Sequence, residues 1–224
     1  MVKAVLFDVD NTLLDFNASA KEAIKAAFDE LGLNFSDRVM DVFLRLNEVL
    51  WQRIEKKEMT REDLHNVRWK TIFTELHVNA DGLNMERLFL KYLKDYAIPI
   101  DGAQDIIRYL SAKYDIYTAS NAPYLQQVNR LTISGIMPYI KRIISFESQG
   151  IYKPQKRYFE QCLKEMSPAK SDEIVLIGDS LSADMRGGKD VGFTTVWFNP
   201  SGKVAPEGLC DFTVKSLSEI KNIL

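Results

Sequence analysis

Two aspartates spaced two residues apart follow an apolar segment at the start of the chain. The segment spans residues 2–7 and is followed at once by Asp8, Asp10 and Thr12. A short apolar run bounded by polar residues is typical of a strand buried on both faces. If the strand continues through Asp10, alternation places both carboxyl groups on the same side of the backbone. Two such carboxylates repel each other, which raises the pKa of one of them and favours a bound cation.

The same residues also have a simple structural interpretation. Asp is common in turns and at helix N-termini, and Thr12 or Asn17 could cap a following helix. Asp8 and Asp10 alone do not decide between a turn and a reactive site. The decision depends on polar residues elsewhere in the chain.

Polar residues also follow later apolar segments. They are Ser120-Asn121, Lys153-Pro154, and Gly178-Asp179-Ser180 with Asp184. The carboxyl ends of parallel strands meet at one edge of a sheet, which is where open α/β sheets bind ligands. That edge would bring together acids, a hydroxyl, an amide and a lysine. Lys153 could instead be a surface lysine, and Asp184 an acidic residue in the first turn of a helix.

Residues 17–97 show helical periodicity and contain no proline. The predicted helix boundaries in this stretch are Gly32 after the first helix, Ser36 before the second, Thr60 before the third, and Asn84 or Asp81 before the fourth. Four amphipathic helices joined by short polar turns are typical of a small antiparallel bundle. We therefore predict a helical domain over residues 16–98.

Helical and strand patterns alternate from residue 98 onwards. Predicted helices at 103–113, 123–134, 155–166 and 181–190 precede predicted strands at 115–120, 142–148, 173–180 and 193–198, and Ser216 with Glu219 forms a capping box for a last short helix. This alternation predicts an α/β fold, a doubly wound parallel sheet covered by helices. The first strand belongs to this sheet, so the predicted core is discontinuous, over 1–15 plus 99–224, and the four-helix bundle is an insertion.

The composition limits the possible classes of protein. The chain has 224 residues, of which 46% are hydrophobic and 27% charged, with 29 basic and 31 acidic residues. These values are ordinary for a globular protein and give no electrostatic reason to expect a nucleic-acid or membrane partner. Cys162 and Cys210 match no metal-ligand spacing, and no apolar run is long enough to span a membrane. We expect a cytoplasmic monomer or homodimer.

The polar segments together resemble the signature motifs of the haloacid dehalogenase (HAD) superfamily of phosphatases. The motifs stand here as Asp8-Val9-Asp10-Asn11-Thr12, Thr118-Ala119-Ser120-Asn121, Lys153-Pro154, and Gly178-Asp179-Ser180 with Asp184. The predicted insertion also lies where this superfamily carries an α-helical cap. The resemblance therefore covers essentially the whole chain and implies a HAD-like, Rossmann-type core with a helical cap domain.

The resemblance implies a Mg²⁺-dependent hydrolase of small phosphomonoesters that forms an aspartyl-phosphate. Asp8 would be the nucleophile, and Asp10 the general acid and base. Mg²⁺ would be held by Asp8, the backbone carbonyl of Asp10, and Asp179, which form a hard all-oxygen site.

The remaining motif residues would support this chemistry. Lys153 would orient Asp8 and, with Ser120 and Asn121, bind the phosphate. Asp184 and Thr12 would support the residues that hold the metal.

Residues 120–136 are similar to the corresponding segment of the pyrimidine 5′-nucleotidase branch, which favours nucleoside 5′-monophosphates as substrates. Phosphoglycolate or sugar phosphates, or a phosphomutase reaction, are the alternatives. A catalytically silent HAD scaffold and a phospho-acceptor signalling module are the non-enzymatic alternatives. A phospho-acceptor module would lack the acid two residues after the acceptor and the helical insertion. A nucleobase could stack on cap residues such as Trp69 or Arg68, but their helical spacing favours the bundle core.

Overall fold

The computed structural model describes residues 1–146, 149–166 and 168–224. The chain forms two compact units, one made of Met1–Phe16 with Ala97–Leu224 and the other of Asn17–Tyr96. The boundaries predicted from the sequence, 1–15 plus 99–224 and 16–98, lie within two residues of these.

In the part of the chain that the structure describes, six parallel strands form one sheet in the discontinuous unit. They are β1 (Ala4–Phe7), β2 (Asp115–Ala119), β3 (Arg142–Ile144), β4 (Ile174–Gly178), β5 (Thr194–Phe198) and β6 (Phe212–Val214), in the order β3-β2-β1-β4-β5-β6. Leu6 of β1 is paired with Tyr117 of β2 and with Leu176 of β4. The order of the strands reverses between β1 and β4, and ligands bind at such a switch point in open α/β sheets.

Helices cover both faces of this sheet. They are α5 (Ala103–Ser111), α6 (Tyr124–Ile133), α7 (Lys156–Glu165) and the short α8 (Gly187–Lys189), with a 3₁₀ turn at Leu217–Asn222. Val5 and Phe7 of β1 pack with α5, α6 and the 3₁₀ turn, whereas Ala4 and Leu6 pack with α7. The alternation of strand side chains thus supplies two apolar cores, one on each face. The predicted doubly wound α/β fold is confirmed.

Three local features differ from the prediction. The predicted strand 142–148 ends at Ile144, and residues 147–148 lie outside the described residues. The strand β6 was not predicted, because it has only three residues and its burial is confined to Val214. The predicted helix 181–190 is a π-helical turn followed by α8, and the amide of Met185 donates to the carbonyl of Ser180 over 3.1 Å.

The second unit consists of four helices. They are α1 (Phe16–Glu30, whose first residue belongs to the other unit), α2 (Asp37–Glu55), α3 (Arg61–Leu76) and α4 (Gly82–Leu93). Thr60 and Asp63 form a capping box at the start of α3, and Asp81 rather than Asn84 caps α4. Trp69 is fully buried among aromatic rings from all four helices, in contact with Phe28, Phe43, Phe73 and Phe89. Trp69 therefore belongs to the bundle core, as its spacing indicated.

A buried ionic network also lies in the interior of the bundle. Arg68 donates from Nε and Nη2 to the carboxylate of Glu86 over 3.0 and 2.5 Å, and from Nη1 to Asn47 over 2.8 Å. Nδ1 of His65 lies 2.6 Å from Glu86 Oε1. Burial opposes ionisation of Glu86, but Arg68 and His65 outweigh it and lower the pKa of this carboxyl. Arg68 thus balances a charge in the core of the helical unit.

We expect Glu86→Gln to destabilise the helical unit by about 3 kcal/mol, because it leaves the buried Arg68 guanidinium without its counter-charge. Folding lowers the pKa of Glu86, so its ionised carboxylate contributes to the free energy of unfolding above about pH 4.5. This contribution is lost as the pH falls through the pKa of Glu86 in the folded state. Urea unfolding of Glu86→Gln at pH 7 tests this. The control is Glu75→Gln, which removes an exposed ion pair with Arg45 and is expected to cost less than about 1 kcal/mol. Equal stabilities of the two variants would contradict the prediction.

Candidate active site

The loop after β1 fixes the first predicted acid. The amide of Asp8 donates to the carbonyl of Ile177 over 2.8 Å, so Asp8 stays attached to β4 just beyond the end of β1. Its side chain is buried, and its Oδ2 accepts a hydrogen bond from the Thr12 hydroxyl over 3.1 Å. Asn11 has a φ of +63°, a left-handed conformation that Asn tolerates better than most residues, and turns the chain so that Thr12 can reach back. The hydroxyl of Thr12 therefore orients Asp8.

Lys153 is the centre of the site. Its ammonium group lies 2.5 Å from Asp8 Oδ1 and 2.6 Å from Asp184 Oδ1, and it donates to the carbonyl of Ala119 over 3.0 Å. Only 3% of the residue is exposed, so it is not a surface lysine. Three charge-assisted or polar contacts use the three donors of an ammonium group.

Asn121 holds the backbone of Lys153. Its Oδ1 accepts from the amide of Lys153 over 2.7 Å, and its Nδ2 donates to the carbonyl of the same residue over 3.1 Å. This pair of hydrogen bonds joins the end of β2 to the loop that carries the lysine. The structure thus shows Asn121 positioning Lys153. The contact of Asn121 with phosphate stays a prediction.

Asp179 and Asp184 complete a group of acids at the end of β4. One carboxylate oxygen from each of Asp8, Asp179 and Asp184 lies within 4.8 Å of the others. A Cβ on Gly178 would collide with the Asp184 carboxylate, so a glycine is needed here for close approach. The π-helical turn directs Asp184 inwards, where its Oδ2 accepts from the amide of Ser180 over 3.2 Å. Asp184 therefore lies in the first turn of this segment and also among the acids, with only 1% of the residue exposed.

The electrostatics of this group are unbalanced. Among the described residues it contains three carboxylates and one ammonium, which leaves two negative charges when all are ionised. Burial, with a contribution from Asp184, raises the pKa of Asp8 to about 7 despite the nearby lysine. Burial also raises the pKa of Asp179 well above its usual range, and Asp8 and Asp184 add to the effect. Burial would lower the pKa of Lys153, but Asp184 and Asp8 outweigh it and raise this pKa.

Asp10 lies apart from these three acids, held by two residues that we did not predict. Its Oδ1 forms an ion pair with Nη1 of Arg130, and its Oδ2 accepts from Nε2 of Gln127 over 2.7 Å. Both partners belong to α6 and are fully buried. The available sequence signal was a pair of polar residues three apart, on the buried face of a helix predicted to cover the sheet.

Ser120 lies next to this pair, at the end of β2. Its Oγ accepts from the amide of Ala122 over 3.0 Å and from Nε2 of Gln127 over 2.8 Å. A hydroxyl that accepts two hydrogen bonds keeps its own O–H as a donor. The predicted site residues of four separate segments thus meet at the carboxyl edge of the sheet, around the switch point of β1 and β4.

A family model for haloacid dehalogenase-like hydrolases matches residues 2–192 of the chain. The chain belongs to this family. The HAD-hydrolase YfnB of Bacillus subtilis strain 168 is 33% identical over 223 residues, which cover 99% of this chain and 95% of YfnB. A crystal structure of YfnB bound to magnesium matches with a TM-score of 0.92 and 32% identity, covering 100% of this chain and 98% of that one.

Two further relatives of this HAD hydrolase are named as a nucleotidase and a phosphatase. Pyrimidine 5′-nucleotidase PynA of Streptococcus pneumoniae (strain ATCC BAA-255 / R6) is 31% identical over 199 residues, covering 88% of this chain and 84% of PynA. A glyceraldehyde 3-phosphate phosphatase of Methanothermobacter thermautotrophicus is 26% identical, covering 100% of both chains. The predicted membership of the HAD family, as an enzyme near the nucleotidase branch, is confirmed.

Within the described residues, the helices lack the combination of length and apolar character that crossing a membrane requires.

Proposed function

We propose that the protein is a Mg²⁺-dependent phosphatase that hydrolyses nucleoside 5′-monophosphates through an aspartyl-phosphate on Asp8. The observation that carries this proposal is the buried lysine that lies between Asp8 and Asp184, with Asp179 beside them and Asp10 two residues after Asp8. With Asp8 as nucleophile and Asp10 as acid, a covalent aspartyl-phosphate intermediate divides one difficult displacement into two easier steps.

The donor set fits a divalent hard cation. Carboxylate oxygens are the ligands that Mg²⁺ prefers, and the two surplus negative charges of the acid group match its charge. Asp8, Asp179 and the backbone carbonyl of Asp10 would hold the ion, with Asp184 supporting them. When bound, Mg²⁺ supplies positive charge that lets an anionic carboxylate approach an anionic phosphate.

In the first step, an oxygen of the Asp8 carboxylate attacks phosphorus while the bond from phosphorus to the substrate oxygen breaks. Asp10 donates a proton to that departing oxygen, which leaves as an alcohol. Lys153 fixes the orientation of Asp8 and its positive charge offsets the negative charge of the transferred group, whose oxygens the Ser120 hydroxyl binds.

In the second step, water attacks phosphorus and the bond between phosphorus and Asp8 breaks. Asp10 takes a proton from that water, which returns both aspartates to their starting state and releases inorganic phosphate. The two steps together consume one water and one phosphomonoester.

The substrate class rests on relatives. The 31% identity to PynA supports a nucleoside monophosphate, and the full-length match to a glyceraldehyde 3-phosphate phosphatase makes a small sugar phosphate the second candidate. We propose that the helical unit acts as the cap domain that distinguishes such substrates. Its residues Arg68 and Trp69 lie in the bundle core, so they are not proposed as a stacking surface.

The test is phosphate release with Mg²⁺ across pyrimidine and purine nucleoside monophosphates, sugar phosphates and phosphoglycolate. We expect many turnovers per chain on pyrimidine monophosphates and loss of turnover in EDTA. Preference for a sugar phosphate would overturn the substrate assignment but keep the chemistry. One phosphorylation per chain would indicate a phospho-acceptor module, and absence of turnover on every ester would indicate a silent scaffold.

A further inference from the structure

Asp10 is held at both carboxylate oxygens by one helix. Arg130 takes Oδ1 and Gln127 takes Oδ2, and these two side chains are three residues apart on the buried face of α6. Contacts at both oxygens restrict rotation of a carboxyl group more than contact at one. The orientation of Asp10 is therefore set by residues 117 and 120 positions away in the sequence.

The amide of Gln127 also connects Asp10 to the proposed phosphate-binding hydroxyl. Nε2 donates one hydrogen to Asp10 Oδ2 over 2.7 Å and another to Ser120 Oγ over 2.8 Å. An amide has two such donors, and the opposite orientation would place its oxygen against a carboxylate. Nη1 of Arg130 lies 3.5 Å from Gln127 Oε1, which favours the same orientation.

Gln127 and Arg130 are both fully buried, and burying polar side chains costs free energy of folding. Moving a charged guanidinium from water into a protein core is unfavourable unless it is paired. Replacing a buried ion pair by apolar side chains of similar volume is often neutral or stabilising, so packing alone does not require a charge at position 130. The polar pair therefore serves the carboxyl group that it holds.

We propose that Gln127 and Arg130 are positioning residues that hold the Asp10 carboxyl for proton transfer to the departing oxygen. This inference rests on the proposed function, because it requires Asp10 to act as the general acid. Both residues contact Asp10, and Gln127 also contacts Ser120 Oγ. The part of their effect that acts through Asp10 should follow how much the leaving group needs a proton. An alkoxide leaving group needs that proton, whereas p-nitrophenolate is already a stable anion.

The experiment compares kcat/KM on a nucleoside 5′-monophosphate and on p-nitrophenyl phosphate, with saturating Mg²⁺. The variants are Gln127→Met, Arg130→Lys and the reference Asp10→Asn. We expect Arg130→Lys to lose about tenfold or more on the nucleotide and less than about threefold on the aryl ester. Gln127→Met also removes a donor to Ser120 Oγ, which affects both esters, so we expect its loss on the nucleotide to exceed its loss on the aryl ester by about threefold or more. Gln126→Met makes the same change one residue earlier on α6 and is the matched control, expected to match the unmodified protein on both esters.

Double variants separate positioning from general structural damage. In the Asp10→Asn background, adding Arg130→Lys should cost less than about twofold on the nucleotide, because the group through which it acts is gone. Equal losses on the two esters, or a full additional loss in that background, would overturn the inference. If Arg130→Lys lowers the thermal midpoint strongly, Gln127→Met, which keeps the volume and removes the N–H donors to Asp10 and Ser120, carries the test through the ratio of its losses on the two esters.

The reference variant Asp10→Asn distinguishes failure of the proposed mechanism from failure of the positioning roles of Gln127 and Arg130. Asp10→Asn alone should lose far more on the nucleotide than on the aryl ester. An equal loss on both would show that Asp10 is not the general acid, and the proposed mechanism would fall together with the inference. A selective loss in Asp10→Asn without one in Gln127→Met or Arg130→Lys would overturn the inference alone.

Discussion

Asp8→Asn is expected to lower turnover by about 10⁴-fold or more while leaving the protein folded. An amide does not attack phosphorus, so no aspartyl-phosphate can form. The shape of the side chain is unchanged, and its Oδ1 can still accept from Lys153, which lies 2.5 Å from Asp8 Oδ1. Steady-state phosphate release, with circular dichroism on the same samples, checks the prediction.

The same variant should be at least as stable as the unmodified protein when Mg²⁺ is removed. Burial raises the pKa of Asp8 from 3.8 to about 7, so the folded protein is destabilised when this group is ionised. A raised carboxyl pKa means that stability falls as the pH rises from about 4 to 7. The gain in stability from Asp8→Asn should therefore be largest above pH 7 and shrink as the pH falls towards 4.

Asp101→Asn, an exposed change in the same unit, is the control and should affect neither turnover nor stability. Retained turnover in a folded Asp8→Asn protein would remove Asp8 from the mechanism. A large loss of stability above pH 7 would instead contradict the charge imbalance described for the acid group.

The parts of the site that sequence could predict are those fixed by the ends of strands. Asp8, Ser120 and Asp179 each follow a strand, and the parallel arrangement of β1, β2 and β4 brings the three ends to one edge. Apolar runs and helix caps are local signals, which is why the sheet, the four inserted helices and the Thr60 cap were predictable.

The parts that could not be predicted depend on contacts between distant residues. Arg130 is on an amphipathic helix, and nothing in its local pattern shows that it faces Asp10 across 120 positions. The bonding of Asn121 to the backbone of Lys153 likewise depends on two loops that meet only in the folded chain. The π-helical turn that directs Asp184 inwards adds one residue to a helical turn, a change that leaves the hydrophobic period almost unaltered.

Lys153→Met is expected to reduce both turnover and stability. The ammonium is buried and contacts two carboxylates, so its removal leaves three acids within 4.8 Å without a positive group among the described residues of the cluster. Breaking a buried ion pair in this way costs about 3–5 kcal/mol. Turnover should fall by about 10³-fold or more, since the same group orients Asp8 and neutralises the transferred phosphoryl group.

The loss of stability in Lys153→Met should depend on pH. Because Asp184 and Asp8 raise the pKa of Lys153, the lysine stabilises the fold at every pH below its unfolded value of about 10.5. In Lys153→Met the acids can avoid mutual repulsion only by taking up protons, so the deficit in thermal midpoint in EDTA should be larger at pH 8 than at pH 5. Lys156→Met, an exposed change three residues later, should leave both quantities unchanged. An equal deficit in thermal midpoint at the two pH values would mean that Lys153→Met destabilises the protein through lost packing and not through uncompensated charge.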